Sequence, residues 1–150
     1  MQRRTRNSIC IWLILGGLLN FLSYTIIYAQ LGGDAKNGGH GAYLDTDGLQ
    51  RTGYYISGHF LKGRGGQSKG VGRATWIYSY LHSISLWPTQ AAMVISMLIL
   101  ARPHIIATMR ENTLIRGPTF ITVVITITAV LCSALTLWFT MKFVQELIEG

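Results

Sequence analysis

Acid is scarce in this chain. Only six of its 150 residues are Asp or Glu, against thirteen Lys and Arg. Three long stretches, 9–31, 74–101 and 118–141, carry no charged residue of either sign. Proton relays, voltage sensors and many ion-coupled carriers keep ionisable groups inside their membrane spans. Their lack here argues against an autonomous ion-coupled transporter and leaves a passive oligomeric pore open. Cysteine is nearly missing as well. Cys10 and Cys132 lie in separate apolar stretches, which excludes a close Cys pair for metal and argues against a disulfide. Both read as small apolar packing residues. No Gly-x-Ser-x-Gly, catalytic-cysteine setting or His-Glu-x-x-His occurs. An enzyme built on this chain would need a site assembled from distant residues.

What the chain has is long apolar runs. Each is long enough to cross a hydrocarbon core of about 30 Å at about 1.5 Å per residue. A spanning backbone must satisfy its own hydrogen bonds, so helices are expected. The expected fold is an all-α membrane protein, one membrane domain over 1–150. Its spans run approximately over 9–31, 75–101 and 118–142, with a Gly-rich loop over 32–74. Arg3, Arg4 and Arg6 make a basic leader, but the first run exceeds the roughly 7–15 residues of a signal core. No small-x-small cleavage site stands out, and an uncleaved anchor is expected.

Basic residues near the spans divide six against six. Arg3, Arg4, Arg6, Arg102, Arg110 and Arg116 fall on one side; Lys36, Lys62, Arg64, Lys69, Arg73 and Lys142 fall on the other. The shorter, denser segments point to a cytoplasmic N-terminus, with the loop and C-terminus outside. Tyr24, Tyr28, Trp76, Tyr78, Tyr80 and Trp138 would form an aromatic belt on the loop side. The localisation expected is a bacterial inner membrane.

Each run also carries small or hydroxyl residues at helical spacing. These are Gly16, Asn20 and Ser23; then Ser85, Thr89, Ala92 and Ser96; then Thr122, Thr126, Ala129, Ser133, Thr136 and Thr140. Small faces let membrane helices approach, within one chain or between copies. A pore lining is the rival reading. Asn20 and Gln90 are expected to bond each other or a partner helix, because an unpaired amide in lipid is costly. Pro88 should kink the second span.

Thirteen of the seventeen glycines fall within 32–73. Asn37-Gly38 and Asp47-Gly48 read as turns, and a short strand from residue 53 to 61 would give a small hairpin. Asp45-Thr46-Asp47-Gly48 resembles the start of a calcium loop but lacks its closing Glu, so a turn is the better reading. Asp34, His40, His59 and His82 offer oxygen and nitrogen donors for a metal, without a close ligand spacing to support one. Polar loop structure or a partner contact is the alternative, and no cofactor follows from the sequence. Lys62, Arg64, Lys69 and Arg73 form a basic contact strip. Beside a membrane, anionic headgroups or an acidic partner suit it better than nucleic acid, and an ordinary solvated linker suits it better than either. The 103–116 connector is expected on the headgroup boundary, with Ile105, Ile106, Met109 and Leu114 against lipid and Arg102, Arg110 and Arg116 towards its charge.

Asn20-Phe21, Tyr24, Tyr28, Leu31-Gly32-Gly33-Asp34-Ala35, Asn37-Gly38, Gly53-Tyr54-Tyr55, Gly58-His59, Tyr78-Ser79 and His82 together resemble small uncharacterised bacterial integral membrane proteins. The resemblance implies a bacterial envelope protein and carries no activity. It draws the end of the first span, the loop and the start of the second into one unit. The function expected is a non-enzymatic membrane subunit, packed among membrane lipids with other subunits or its own copies, whose outer loop contacts a partner. A channel or transporter component, and a metal-dependent membrane enzyme, are the alternatives.

Overall fold

The computed structural model describes residues 3–58, 68–110 and 115–149. Its elements are α1 (Arg3–Leu31), β1 (Asp34–Leu44), β2 (Gln50–Ser57), β3 (Lys69–Gly70), α2 (Arg73–Thr108) and α3 (Gly117–Glu149). All three helices are long and apolar enough to cross a membrane. Within their most apolar windows only 11%, 11% and 6% of residues are buried inside the chain. Their apolar faces therefore cannot be explained as an internal core. Trp12, Leu19, Val130 and Leu137 are among the large side chains left exposed.

The third helix illustrates why environment overrides propensity. Residues 121–128 are all Ile, Val or Thr, a composition that favours strands in water. A helix satisfies every backbone group internally, as a segment this apolar would require in hydrocarbon. Its threonines add to this: Thr122 Oγ1 donates to the Pro118 carbonyl at 3.0 Å, and Thr140 Oγ1 to the Thr136 carbonyl at 2.7 Å.

The structure corrects the expected loop. Among the described residues, the glycine-rich stretch forms a three-stranded antiparallel sheet ordered β1-β2-β3. Asn37-Gly38 is not a turn but part of β1, at the register irregularity between Asp34 and Gly39. Asp47-Gly48 does lie at the β1–β2 turn, where Gly48 N–H donates to the Asp45 carbonyl at 2.8 Å. The second strand begins at Gln50, before the expected start at residue 53. Helix α2 continues through Pro88 and Pro103 to Thr108, so the first part of the 103–116 connector is helical.

By contacts the chain separates into two compact units. One comprises Met1–Asn20 with Leu86–Leu135, the other Phe21–Ser85 with Thr136–Gly150. In the first, the helical unit, α1 meets α2 antiparallel. Gly17 is buried, and a Cβ there would collide with the Met93 side chain. Asn20 Nδ2 donates to Thr89 Oγ1 at 3.1 Å, one residue before the expected Gln90. The packing face of α1 runs through Cys10 and Gly17, while Gly16 and Ser23 are exposed. On α2 the small face is inward, with Ser96 only 2% exposed. On α3 it is mostly outward: Thr122, Thr126 and Ser133 are exposed, while Gly117 and Ile121 are buried.

The second, the sheet unit, has the aromatic core. Ala35, Ile56, Trp76, Tyr80 and Phe143 are buried together, with Leu31, Tyr54 and Val71 packed against them. Ring centroids lie 5.2 Å apart for Trp76 with Tyr80 and 5.1 Å for Tyr80 with Phe143. Thr136 is half-buried and belongs to this unit.

A candidate site at Asp34

The most organised polar cluster of the sheet unit forms where α1 gives way to β1. Gly32 makes the junction. Its φ of 88° is left-handed, and its N–H caps α1 by donating to the Tyr28 carbonyl at 2.9 Å. Glycine adopts that conformation without a Cβ penalty. Gly33 then passes directly over the end of β2. A Cβ on Gly33 would meet the Ser57 carbonyl, and one on Gly58 would meet the Gly33 Cα. These approaches fix the position of the next residue, Asp34.

Asp34 is 3% exposed. Its Oδ2 accepts from Tyr24 Oη at 2.6 Å and from Ser83 Oγ at 3.2 Å. Its Oδ1 accepts the Asn37 backbone N–H at 3.1 Å. A carboxylate only accepts when ionised, so hydroxyls and an amide are its proper partners. The neighbouring Ala35 N–H donates to Ser79 Oγ at 3.1 Å. Ser79 and Ser83 are one helical turn apart, so they share a face of α2. The start of β1 is therefore tied to α1 through Tyr24 and to α2 through both serines.

His82 flanks the cluster. Its ring stands edge-on to Tyr24 at 5.6 Å and beside Tyr78 at 5.6 Å. His82 Nδ1 is buried and has no hydrogen-bond partner among the described residues. Trp76 Nε1, Tyr54 Oη and Glu146 Oε2 share that condition, all within the same unit.

The other sequence candidates disperse. His40 is exposed on β1, its ring 4.6 Å from that of Tyr54. His59, Lys62 and Arg64 lie outside the described residues. Among the described residues no three His, Cys, Asp or Glu side chains come together as a metal group. Lys69 is exposed in β3, and Arg73 is exposed at the start of α2. Gln90 is half-buried on α2. Asp45 and Asp47, the acids of the calcium-like turn, are taken by Arg51: Nε lies 3.0 Å from Asp45 Oδ2 and Nη2 3.3 Å from Asp47 Oδ2. Beside them a polar groove of about 420 Å³ runs between Tyr43, Arg51, Tyr54 and Lys69.

Sequence reasoning singled out neither Tyr24 and Ser83 as partners of Asp34 nor Ser79 as the acceptor for Ala35. The signal was present in part, because Ser79 and Ser83 have i,i+4 spacing and sit in the polar first turns of an otherwise apolar helix. Chemically the cluster spends its donors on one carboxylate. It is built to hold a strand in place.

Protein-family models, curated proteins and solved structures were compared with this chain, and none matches.

Proposed function

We propose that this chain is a non-enzymatic integral membrane subunit that packs with other subunits or its own copies and presents its sheet to a partner. The observation that carries this reading is the Asp34 cluster. It ties β1 to two helices and leaves the distal sheet surface free to make contacts. That surface combines Arg51 and Lys69 with Leu44, 40% exposed, and Leu49, 59% exposed. Mixed charge and exposed apolar groups suit a protein interface better than a solvated turn. The sparsely buried helices support a bilayer setting, with the outward small face of α3 available to neighbouring helices. In the proposed topology the N-terminus is cytoplasmic in a bacterial inner membrane, with sheet and C-terminus outside.

Single cysteines introduced by Leu49→Cys or Lys69→Cys test both points. Cross-linking in native membranes should trap a defined complex through the sheet, and the complex should persist in mild detergent. A monodisperse monomer with no cross-link from either position would refute the assembly. An impermeant thiol reagent should label Leu49→Cys in intact cells; protection there would reverse the topology.

A further inference from the structure

Two basic segments far apart in sequence meet in the helical unit. Arg3 and Arg6 open α1, and Arg102 lies near the end of α2. Because the two helices run antiparallel, these three arginines come together with Pro103 and Ile106 around an open cavity of about 370 Å³. That is the liquid volume of roughly a dozen waters. Arg6 Nη2 donates to Asn7 Oδ1 at 3.3 Å. Arg6 Nε is buried and has no hydrogen-bond partner among the described residues.

Among the described residues of the helical unit, no acid balances this site. Residues 1–20 and 86–135 together contain six arginines and one acid, Glu111, which lies outside the described residues. The first turn of α1 has no acidic residue either, so the positive end of that helix adds to the field. Three guanidinium groups and an uncompensated helix start call for an anion. Guanidinium forks match the paired oxygens of phosphate, which an ammonium does not. The walls select further: Pro103 and Ile106 offer apolar surface to the carbon portion of a ligand. A free inorganic anion has no use for that surface, whereas a glycerophospholipid does.

We propose that this cavity binds the phosphate of an anionic phospholipid headgroup, with Arg6 at its centre and Arg3 and Arg102 on either side. The inference rests on the membrane reading above and is independent of any partner on the sheet. The bound lipid would bridge the α1 start to the α2 end.

The test uses the full-length protein in nanodiscs of phosphatidylcholine with a minor fraction of phosphatidylglycerol. Native mass spectrometry after mild extraction reads which lipid stays bound. Wild type should retain phosphatidylglycerol over phosphatidylcholine, and Arg6→Gln with Arg102→Gln should lower that retention on the order of tenfold. Arg110→Gln removes one charge away from the cavity and should leave retention close to wild type. Arg6→Lys, which keeps the charge and loses the fork, should fall between them. Matched circular dichroism and size-exclusion profiles establish that the variants fold. Equal retention in the double variant and in Arg110→Gln would overturn the site in favour of diffuse surface charge. Inorganic phosphate binding to delipidated protein, without any lipid preference, would overturn the lipid source and assign the arginines to a soluble anion. Alkaline carbonate extraction of membranes from the expressing cells separates the two readings. A chain that resists extraction but shows no lipid preference refutes this site alone; a chain that is released refutes both.

Discussion

Removing the Tyr24 hydroxyl should loosen the start of β1 more than any other single-atom change around Asp34. The reason is geometric. The Tyr24 bond to Asp34 is 2.6 Å long, while the Ser83 bond is 3.2 Å and its hydroxyl is shared with the Ser79 carbonyl at 3.0 Å. A hydrogen bond to a charged group contributes about 1.5–3 kcal/mol, and a buried acceptor left short of donors adds to the loss. Tyr24→Phe should therefore cost about 2 kcal/mol, and Ser83→Ala about 0.5–1 kcal/mol. Asp34→Asn keeps the shape and one carbonyl acceptor; its new amide can donate to a reoriented hydroxyl. Tyr24→Phe should then do less harm when combined with Asp34→Asn, giving a coupling of about 1–2 kcal/mol in a double-mutant cycle. Hydrogen exchange at the Asn37 and Ala35 amides is the direct assay. A loss of about 2 kcal/mol corresponds to roughly thirty-fold faster exchange through local opening. The reasoning fails if Tyr24→Phe leaves these amides within about twofold of wild type, or if Ser83→Ala exceeds it.

Two further outcomes follow from close packing. Gly58→Ala would drive a methyl group into the Gly33 backbone and the Tyr28 hydroxyl; it should destabilise the sheet unit by about 1–3 kcal/mol, read as lower protection across β1 and β2 with the helical amides unchanged. Asn20→Leu removes the donor to Thr89 and should cost about 0.5–1.5 kcal/mol of stability in detergent; Gln90→Leu should cost less, and the reverse order would move the interhelix contact from Thr89 to Gln90.

The three helices were legible in the chain because charge-free runs of that length have few alternatives. Once in hydrocarbon, a backbone must close its own hydrogen bonds, and even the β-branched run of α3 obeys. The Asp47-Gly48 turn was legible for a similarly local reason. Of the strands around it, β2 was legible in part, as the strand expected from residue 53, and β1 was not. Gly38, Gly39 and Gly41 have no side chains to alternate between faces, so β1 gives no period-two signal and reads as loop. The small-residue faces were legible as spacing but not as direction. Gly16 and Gly17 are adjacent and equally small, and only the approach of Met93 selects Gly17 as the contact.

The scarcity of acid divides in the same way. From sequence alone it argued against buried charge relays and marked three apolar stretches long enough to span. Composition could not tell what Asp34 or the arginines of α1 and α2 do, because they meet groups distant in sequence. Asp34 became a structural anchor only when the end of α1 and one face of α2 delivered hydroxyl donors to it. Arg3, Arg6 and Arg102 became one cavity only when two helices packed antiparallel. Local hydrogen bonding and solvent preference are properties of a segment, and the sequence carries them. Convergence of side chains is a property of packing, and only the tertiary structure decides it.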